Sequence, residues 1–404
     1  MKGKLIYGQS GGPSPVINAS AYGVIKEALK YDEITDIYVM KNGIEGLLQG
    51  EFYTFDEFED QLELLPFTPA SAFGSCRHKM KDPKNDDREY QVLLDFFIAN
   101  NIRYFFYNGG NDSMDTCMKI SDFVKENGYE MSVIGIPKTI DNDLPFTDHT
   151  PGFASAAKFI ANTVMQLKLD SVVYPTGKVT IVEIMGRHAG WLTASAHLAH
   201  LEELGPDLVY LPENPFDTED FFIDVARIYR EKKQCFICVS EGIKNKEGQF
   251  IGSLNQFEDA FGHTQLGGVA MYLGDILEDK LGMKYRAIEL STIQRSASYV
   301  RGKRDIEEAI KVGTYGVQQA IQEETGKMVI IKRVSDTPYT VEYEMHDVSQ
   351  IANMEKVIPQ EFMLNDNKMS KAFFDYMIPL VEGEEVKPYN NGLQKFFNLN
   401  KKSN

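Results

Sequence analysis

Lys4-Leu5-Ile6-Tyr7-Gly8-Gln9-Ser10-Gly11-Gly12-Pro13 is a short apolar run that breaks into glycines. Ile17, Ala21, Val24, Ile25 and Ala28 follow at helical spacing, with Pro15 near the first turn. This reads as a strand, a glycine turn and an amphipathic helix. The pattern recurs. Ile37-Tyr38-Val39-Met40, Tyr104-Phe105-Phe106-Tyr107 and Val133-Ile134-Gly135-Ile136 read as further strands. Met114, Cys117, Met118 and Phe123 mark a helix that stops near Asn127-Gly128. Val179 to Ile184, Leu208 to Leu211, Cys235 to Val239 and Ala287 to Leu290 are later strands, and helices are expected near residues 190–200, 218–232, 267–280 and 305–324. Such alternation predicts an α/β fold, doubly wound, with parallel sheets covered by helices.

The 404 residues suffice for two or three compact units. Lys and Arg number 42 against 59 Asp and Glu, a net charge of −17, which argues against a nucleic-acid partner. A phosphate ligand would need local, placed cations instead. No apolar run approaches the ~18 residues of a membrane span. The start, Met1-Lys2-Gly3-Lys4 then Leu5-Ile6-Tyr7, is too short for a signal peptide. Four scattered cysteines suit a reducing compartment. The expected location is therefore cytoplasmic. Pro145, Pro151 and Gly152 mark a candidate hinge, residues 50–70 look like an acidic insertion, and the last 60 or so residues weaken toward a frayed tail ending Asn398-Leu399-Asn400-Lys401-Lys402-Ser403-Asn404.

In open α/β sheets, ligands sit beyond the carboxyl ends of strands. Glycine turns fall there at Gly8-Gln9-Ser10-Gly11-Gly12-Pro13, at Asn108-Gly109-Gly110-Asn111-Asp112-Ser113 and at Met185-Gly186-Arg187. Any one of them could be a tight turn and nothing more. Two at separate strand ends, each opening a helix, favour an anion held by backbone N–H groups. The GxxxxGK[ST] and GxGxxG fingerprints are absent.

Gly135-Ile136-Pro137-Lys138-Thr139-Ile140-Asp141-Asn142-Asp143 also follows a strand. In extended backbone Thr139, Asp141 and Asp143 would share one side. One carboxylate could take a proton from an alcohol while the other helps hold a divalent cation, with Lys138 facing the transferred charge. The plainer alternative is a polar surface loop. Arg77, Arg187, Arg295 and the cluster Arg301, Lys303, Arg304 are cations near strand ends or Gly/Ser turns, and Glu241-Gly242 closes the Cys235 strand. Cys235-Phe236-Ile237-Cys238 has CxxC spacing but lies within a strand, so buried cysteines are expected. His197 and His200 lack a second ligand pair, so no metal site is expected there.

Taken together, Ser10-Gly11-Gly12, Gly109-Gly110-Asn111-Asp112-Ser113, Pro137 to Asp143, Met185-Gly186-Arg187, Glu241-Gly242 and Ile293-Gln294-Arg295 resemble, in order and approximate spacing, the motifs of the phosphofructokinases. The resemblance runs from about residue 4 to about residue 324. Asp112, where ATP-using members carry glycine, and Lys138, where they carry glycine before Thr-Ile-Asp-Asn-Asp, are similar to the pyrophosphate-dependent branch.

The resemblance implies two α/β domains with the active site in the cleft between them. A pyrophosphate-binding domain would take residues 1–152 plus about 305–345, a sugar-phosphate domain 153–304, and an extension 346–404. It implies Asp141 as the base for the 1-hydroxyl of fructose 6-phosphate, with Thr139 beside it. Gly11, Gly12, Gly110, Asp112, Ser113 and Lys138 would hold pyrophosphate. Met185, Gly186, Arg187 and Glu241 would hold the sugar, and Arg295 with Lys303 its 6-phosphate. Mg²⁺ would be held by Asp143 and Asn111, the latter standing where many members have aspartate. Ser296-Ala297 replaces the Gly-Gly that follows the arginine in many relatives. Arginine sites completed by a neighbouring subunit imply a homodimer or homotetramer. An ATP-dependent kinase and a non-catalytic sugar-phosphate-binding regulatory subunit are the alternatives.

Overall fold

The computed structural model describes residues 1–252, 266–364, 368–390 and 393–398. In chain order its strands are β1 (Gly3–Gln9), β2 (Ile34–Met40), β3 (Phe52–Thr54), β4 (Ile102–Gly109), β5 (Ser132–Pro137), β6 (Val179–Ile184), β7 (Leu208–Tyr210), β8 (Cys235–Ser240), β9 (Tyr285–Glu289), β10 (Lys327–Asp336) and β11 (Tyr339–Asp347). The helices are α1 (Ile17–Ala28), α2 (Gly43–Leu48), α3 (Arg88–Asn100), α4 (Asn111–Glu126), α5 (Phe153–Ser171), α6 (Trp191–Ser195), α7 (Thr218–Lys232), α8 (Val269–Leu281), α9 (Lys303–Ile321), α10 (Val348–Ile351) and α11 (Lys371–Val381).

A seven-stranded sheet runs in the order β11-β10-β5-β4-β1-β2-β3, with β3 and β11 antiparallel at its edges and the interior parallel. A second, four-stranded sheet, β7-β8-β6-β9, is parallel throughout. Both faces of each sheet are apolar because alternate strand residues feed opposite cores. Leu5, Tyr7, Tyr104 and Phe106 pack with Val24 of α1 and Val312 of α9. Ile6, Phe105 and Tyr107 pack with Phe97 of α3 and Met114 of α4. In the second sheet, Cys235 belongs to one core and Cys238 to the other, so the two thiols cannot share a metal or a disulfide. Both are buried and free.

Three expectations change. Residues 50–70, expected as an insertion, are built into the fold: β3 pairs with β2, and Phe58, Leu62 and Leu65 are buried beneath α1. The stretch around Pro145 to Gly152 is pinned, not hinge-like. Asp148 N–H donates to Ile331 O (2.8 Å), and the Thr147 hydroxyl accepts from Ile331 N–H (3.0 Å). The described part of the tail is anchored. Phe373, Met377 and Leu380 of α11 join the core around Phe153 and Trp191, and the Phe397 ring packs against Phe58 and Phe73. Residues 399–404 of the expected frayed end lie outside the described residues. Among the described residues no helix is long and apolar enough to cross a membrane.

A buried ion-pair network ties this fold to pH. His149 is fully enclosed between Glu308 (2.6 Å) and Asp148 (2.8 Å), and Arg333 also pairs with Asp148 (2.9 Å). Burial alone would lower the imidazole pKa, but the two carboxylates outweigh it and raise it to about 9. Since the unfolded value is lower, the charged pair stabilises fully below pH ~6.5 and is lost as pH rises through about 9. The stability advantage of the wild type over His149→Gln, measured by urea unfolding, should therefore shrink across that window. An advantage that grows with pH would contradict the pairing.

Candidate active site

The strand order places β1 between β2 and β4, so successive connections leave β1 in opposite directions and open a crevice beyond its carboxyl end. The Gly11–Gly12 turn and the Gly110 turn sit there. Gly11 has φ +76°, which a side chain would strain, and its N–H donates to Cys76 O (3.0 Å) while its carbonyl accepts from the Ser75 hydroxyl (2.7 Å). Gly110 precedes α4, so Asn111, Asp112 and Ser113 form its first turn, with the Ser113 N–H donating to Gly110 O (3.0 Å). Across the crevice stand the carboxyl ends of β6 and β8, which carry Met185 to Arg187 and Glu241.

Between them lies a cavity of about 560 Å³, a size suited to small phosphorylated ligands. It is lined by Gly11, Gly12, Gly110, Asn111, Asp112, Ser113, Lys138, Thr139, Asp141, Asp143, Met185, Arg187, Glu241 and Arg295. Gly186 stands just behind the wall, where its N–H donates to Glu241 Oε1 (3.3 Å) and its carbonyl accepts from the Ser240 hydroxyl (2.5 Å). Lys303 is not among them. It heads α9, exposed, with Glu307 at 3.7 Å. Its neighbours are structural: buried Arg301 bonds Pro15 O, Pro66 O and Glu385, and Arg304 bonds Pro379 O. Of the cation cluster read from the sequence, Arg301 and Arg304 hold the C-terminal segment in place.

Lys138 is the central cation. Its Nζ donates to Gly12 O (2.5 Å) and its backbone N–H to Gly109 O (3.0 Å), so it bridges the two glycine turns. Burial pulls its ammonium down to about 8, against the opposing pull of Asp141 and Asp143. An anion there would be met by Lys138 together with Arg77 and Arg295, whose guanidinium groups reach Gly12. A Cβ added at Gly12 would lie 3.2 Å from Arg295 Nη1 and 3.8 Å from Arg77 Nη2.

The Thr139–Asp143 segment is a turn, not the extended stretch expected, because Asn142 takes φ +55°. Asn142 is buried and directed away from the cavity, while Asp141 and Asp143 still face it. The Thr139 hydroxyl accepts from Asp141 N–H (3.1 Å) and lies 3.5 Å from Asp141 Oδ2. Burial raises the Asp141 carboxyl, opposed by Lys138 and Thr139, and raises Asp143 to about 7. Glu241 is pushed up to about 7 by the same cause. Raised carboxyl pKa values suit groups that exchange protons with a substrate.

Asn111 Nδ2 donates to Asp143 Oδ2 (3.4 Å), and the other oxygens, Asn111 Oδ1 and Asp143 Oδ1, are buried with no partner among the described residues. Two orphaned oxygens of this kind fit a hard divalent cation. No group of three or more His, Cys, Asp or Glu among the described residues could cage one. Such an ion would complete its shell with phosphate and water oxygens, as Mg²⁺ commonly does.

The sequence reading missed Lys79, His188, Asn353, Met354 and Glu355, which also line the cavity. Lys79 sits 3.8 Å from Asp112 and could have been noticed, two residues beyond Arg77 in the same Gly/Ser-started turn. Asn353 to Glu355 come from the C-terminal segment, which carries no motif.

A family model described as Phosphofructokinase matches residues 4–317. The chain belongs to the phosphofructokinase family. It is 41% identical over 98% of its length to the pyrophosphate–fructose 6-phosphate 1-phosphotransferase of Halomonas elongata, covering 96% of that protein. It is also 41% identical, over 97% of its length, to the enzyme of the same name from Methylococcus capsulatus, covering 95% of it. Among solved structures it resembles a pyrophosphate-dependent phosphofructokinase from Nitrosospira multiformis, with a TM-score of 0.88 and 38% identity over 97% of this chain and 95% of that one.

Proposed function

We propose that this chain transfers a phosphoryl group reversibly from pyrophosphate to the 1-hydroxyl of fructose 6-phosphate, giving fructose 1,6-bisphosphate and phosphate in glycolysis and gluconeogenesis. Relatives of that name match nearly its whole length. The observation that carries the donor choice is Lys138, seated on the carbonyl of Gly12 and facing Asp141 in a cavity that Asp112 also lines.

At the donor end, the Gly11–Gly12 and Gly110 turns, free of side chains, leave room for pyrophosphate beside Ser113, and Asp112 repels the α-phosphate a nucleotide would bring. Lys138 meets charge growing on the transferred phosphoryl and the departing phosphate. At the acceptor end, Met185, Arg187 and Glu241 orient the sugar, with the Gly186 N–H behind them holding the Glu241 carboxylate. Asp141 takes the proton of the 1-hydroxyl as the new P–O bond forms, with Thr139 fixing its carboxylate. Asp143 and Asn111 would hold Mg²⁺, which supplies neutralising charge to the phosphate oxygens. Reversibility follows from the donor: the bond broken and the ester formed are similar in free energy. The enzyme is proposed to work in the cytoplasm as a homodimer or homotetramer.

Purified protein given pyrophosphate, fructose 6-phosphate and Mg²⁺ should release phosphate and fructose 1,6-bisphosphate in equal amounts, read by ³¹P NMR. Phosphate without bisphosphate would mean a pyrophosphatase instead. The place of Arg295 is testable separately. Arg295→Ala should raise KM for fructose 6-phosphate about ten- to a hundredfold, the usual cost of a charge-assisted phosphate contact. A rise confined to pyrophosphate KM would assign this arginine, which reaches Gly12, to the donor.

A further inference from the structure

The segment from Asn353 to Ile358 crosses from one lobe to the other beside the cavity. Asn353 Nδ2 donates to Asp115 Oδ1 on α4 (3.2 Å). Lys356 N–H donates to Asp143 O (2.7 Å), and its carbonyl accepts from Trp191 Nε1 (3.2 Å). Ile358 N–H donates to Glu213 Oε1 (3.3 Å), which also takes the N–H of Gly190, beyond the cavity-lining His188 and Ala189. One strap thus touches the donor helix, the carboxylate turn and the sugar-side loop.

Within that strap, the Lys356 ammonium lies over the Trp191 ring (5.5 Å to its centroid) and bonds the loop that runs from Asn142 to Asp148. It donates to Asp148 O (2.8 Å) and Thr147 O (3.0 Å) and lies 3.4 Å from Asn142 Oδ1. Asn142 is the residue with φ +55°, between Asp141 and Asp143. Left-handed backbone at a non-glycine residue is sparsely populated and persists where its surroundings hold it. Here they do. Asn142 Oδ1 accepts from Thr150 N–H (3.1 Å), and its Nδ2 donates to Tyr376 Oη (3.1 Å), which in turn donates to Asp148 O (2.9 Å). Of this loop Arg333 reaches only the Asp148 carboxylate (2.9 Å), whereas Lys356 bonds the backbone carbonyls of Thr147 and Asp148, and its own N–H fixes the carbonyl of Asp143 directly.

We propose that Lys356 is a positioning residue for phosphoryl transfer, holding the Asn142 turn so that Asp141 and Asp143 keep their places on the cavity wall, Asp141 toward the acceptor hydroxyl. It touches no substrate-facing oxygen itself. The inference rests on the reaction proposed above and extends it to a segment beyond the family-matched residues. A displacement of about 1 Å at a reacting group can cost about a hundredfold in rate. Lys356→Met keeps the stem and removes the charge, and should lower kcat ten- to a hundredfold (on the order of the same estimate) in both directions. The KM values for pyrophosphate and fructose 6-phosphate should stay near those of the wild type, because the binding groups are elsewhere. Lys356→Arg, which keeps the charge, should recover a substantial part of the loss. If the Met variant does not fold, Lys356→Gln is measured instead, with the same kcat loss and unchanged KM expected. A neutral variant with kcat near wild type, a loss seen only in KM, or equal kcat losses in the Arg and neutral variants would each overturn the positioning role. A wild type inactive with pyrophosphate would overturn the underlying reaction as well, so the two failures are told apart by the wild-type assay.

Discussion

Asp141→Ser is expected to lower kcat by about 10²–10⁴-fold, the range for losing a general base, with the KM for fructose 6-phosphate little changed. The reason is local. Asp141 is half-buried in the cleft wall, its carboxyl is raised by desolvation there, and the Thr139 hydroxyl lies 3.5 Å from its Oδ2. Arg187, Glu241 and Met185, which would orient the sugar, are on the other lobe and are left intact by the change. Loss of the base acts on the transition state, so it appears in kcat. Steady-state kinetics in the forward direction reads it. A near-normal kcat would place the base elsewhere, and a matching rise in KM would make Asp141 a binding group.

The second large effect belongs to Lys138. Removing a preorganised charge aimed at the developing phosphate should cost roughly 3–4 kcal/mol, or about 10²–10³-fold in rate. Lys138→Gly should therefore abolish most pyrophosphate-driven turnover. Asp112→Gly should act differently, because it removes bulk and charge from the first turn of α4 and leaves Lys138 on Gly12 O. A measurable gain in ATP use with reduced pyrophosphate use is the expected outcome. The check is kcat/KM for each donor in the wild type, both single variants and the double variant at fixed Mg²⁺. An Asp112→Gly enzyme whose ATP use is unchanged would detach donor choice from this position.

Much of this site was legible because its residues directly follow strands whose apolar runs are plain. Lys138 and Asp141 follow β5, Arg187 follows β6 and Glu241 follows β8, so a strand assignment carries each to the correct end of its sheet. What the pattern could not carry was backbone conformation. Alternation suggested an extended Thr139–Asp143, whereas the Asn142 turn, fixed by Thr150, Tyr376 and Lys356, depends on partners far along the chain. Lys303 looked like its neighbours Arg301 and Arg304 in sequence. Only packing shows that those two hold the C-terminal segment and that Lys303 faces Glu307. Lys356 had no signal at all. A lone lysine in a segment without periodicity reads as a surface charge until the oxygens around it are seen.

The most direct test is the donor comparison on the unmodified enzyme: initial rates of fructose 1,6-bisphosphate formation with saturating fructose 6-phosphate and Mg²⁺, with pyrophosphate against ATP. Lys138 on the Gly12 carbonyl and Asp112 in the same cavity predict sustained turnover with pyrophosphate and none above background with ATP. Turnover with ATP equal to or above that with pyrophosphate would contradict the account.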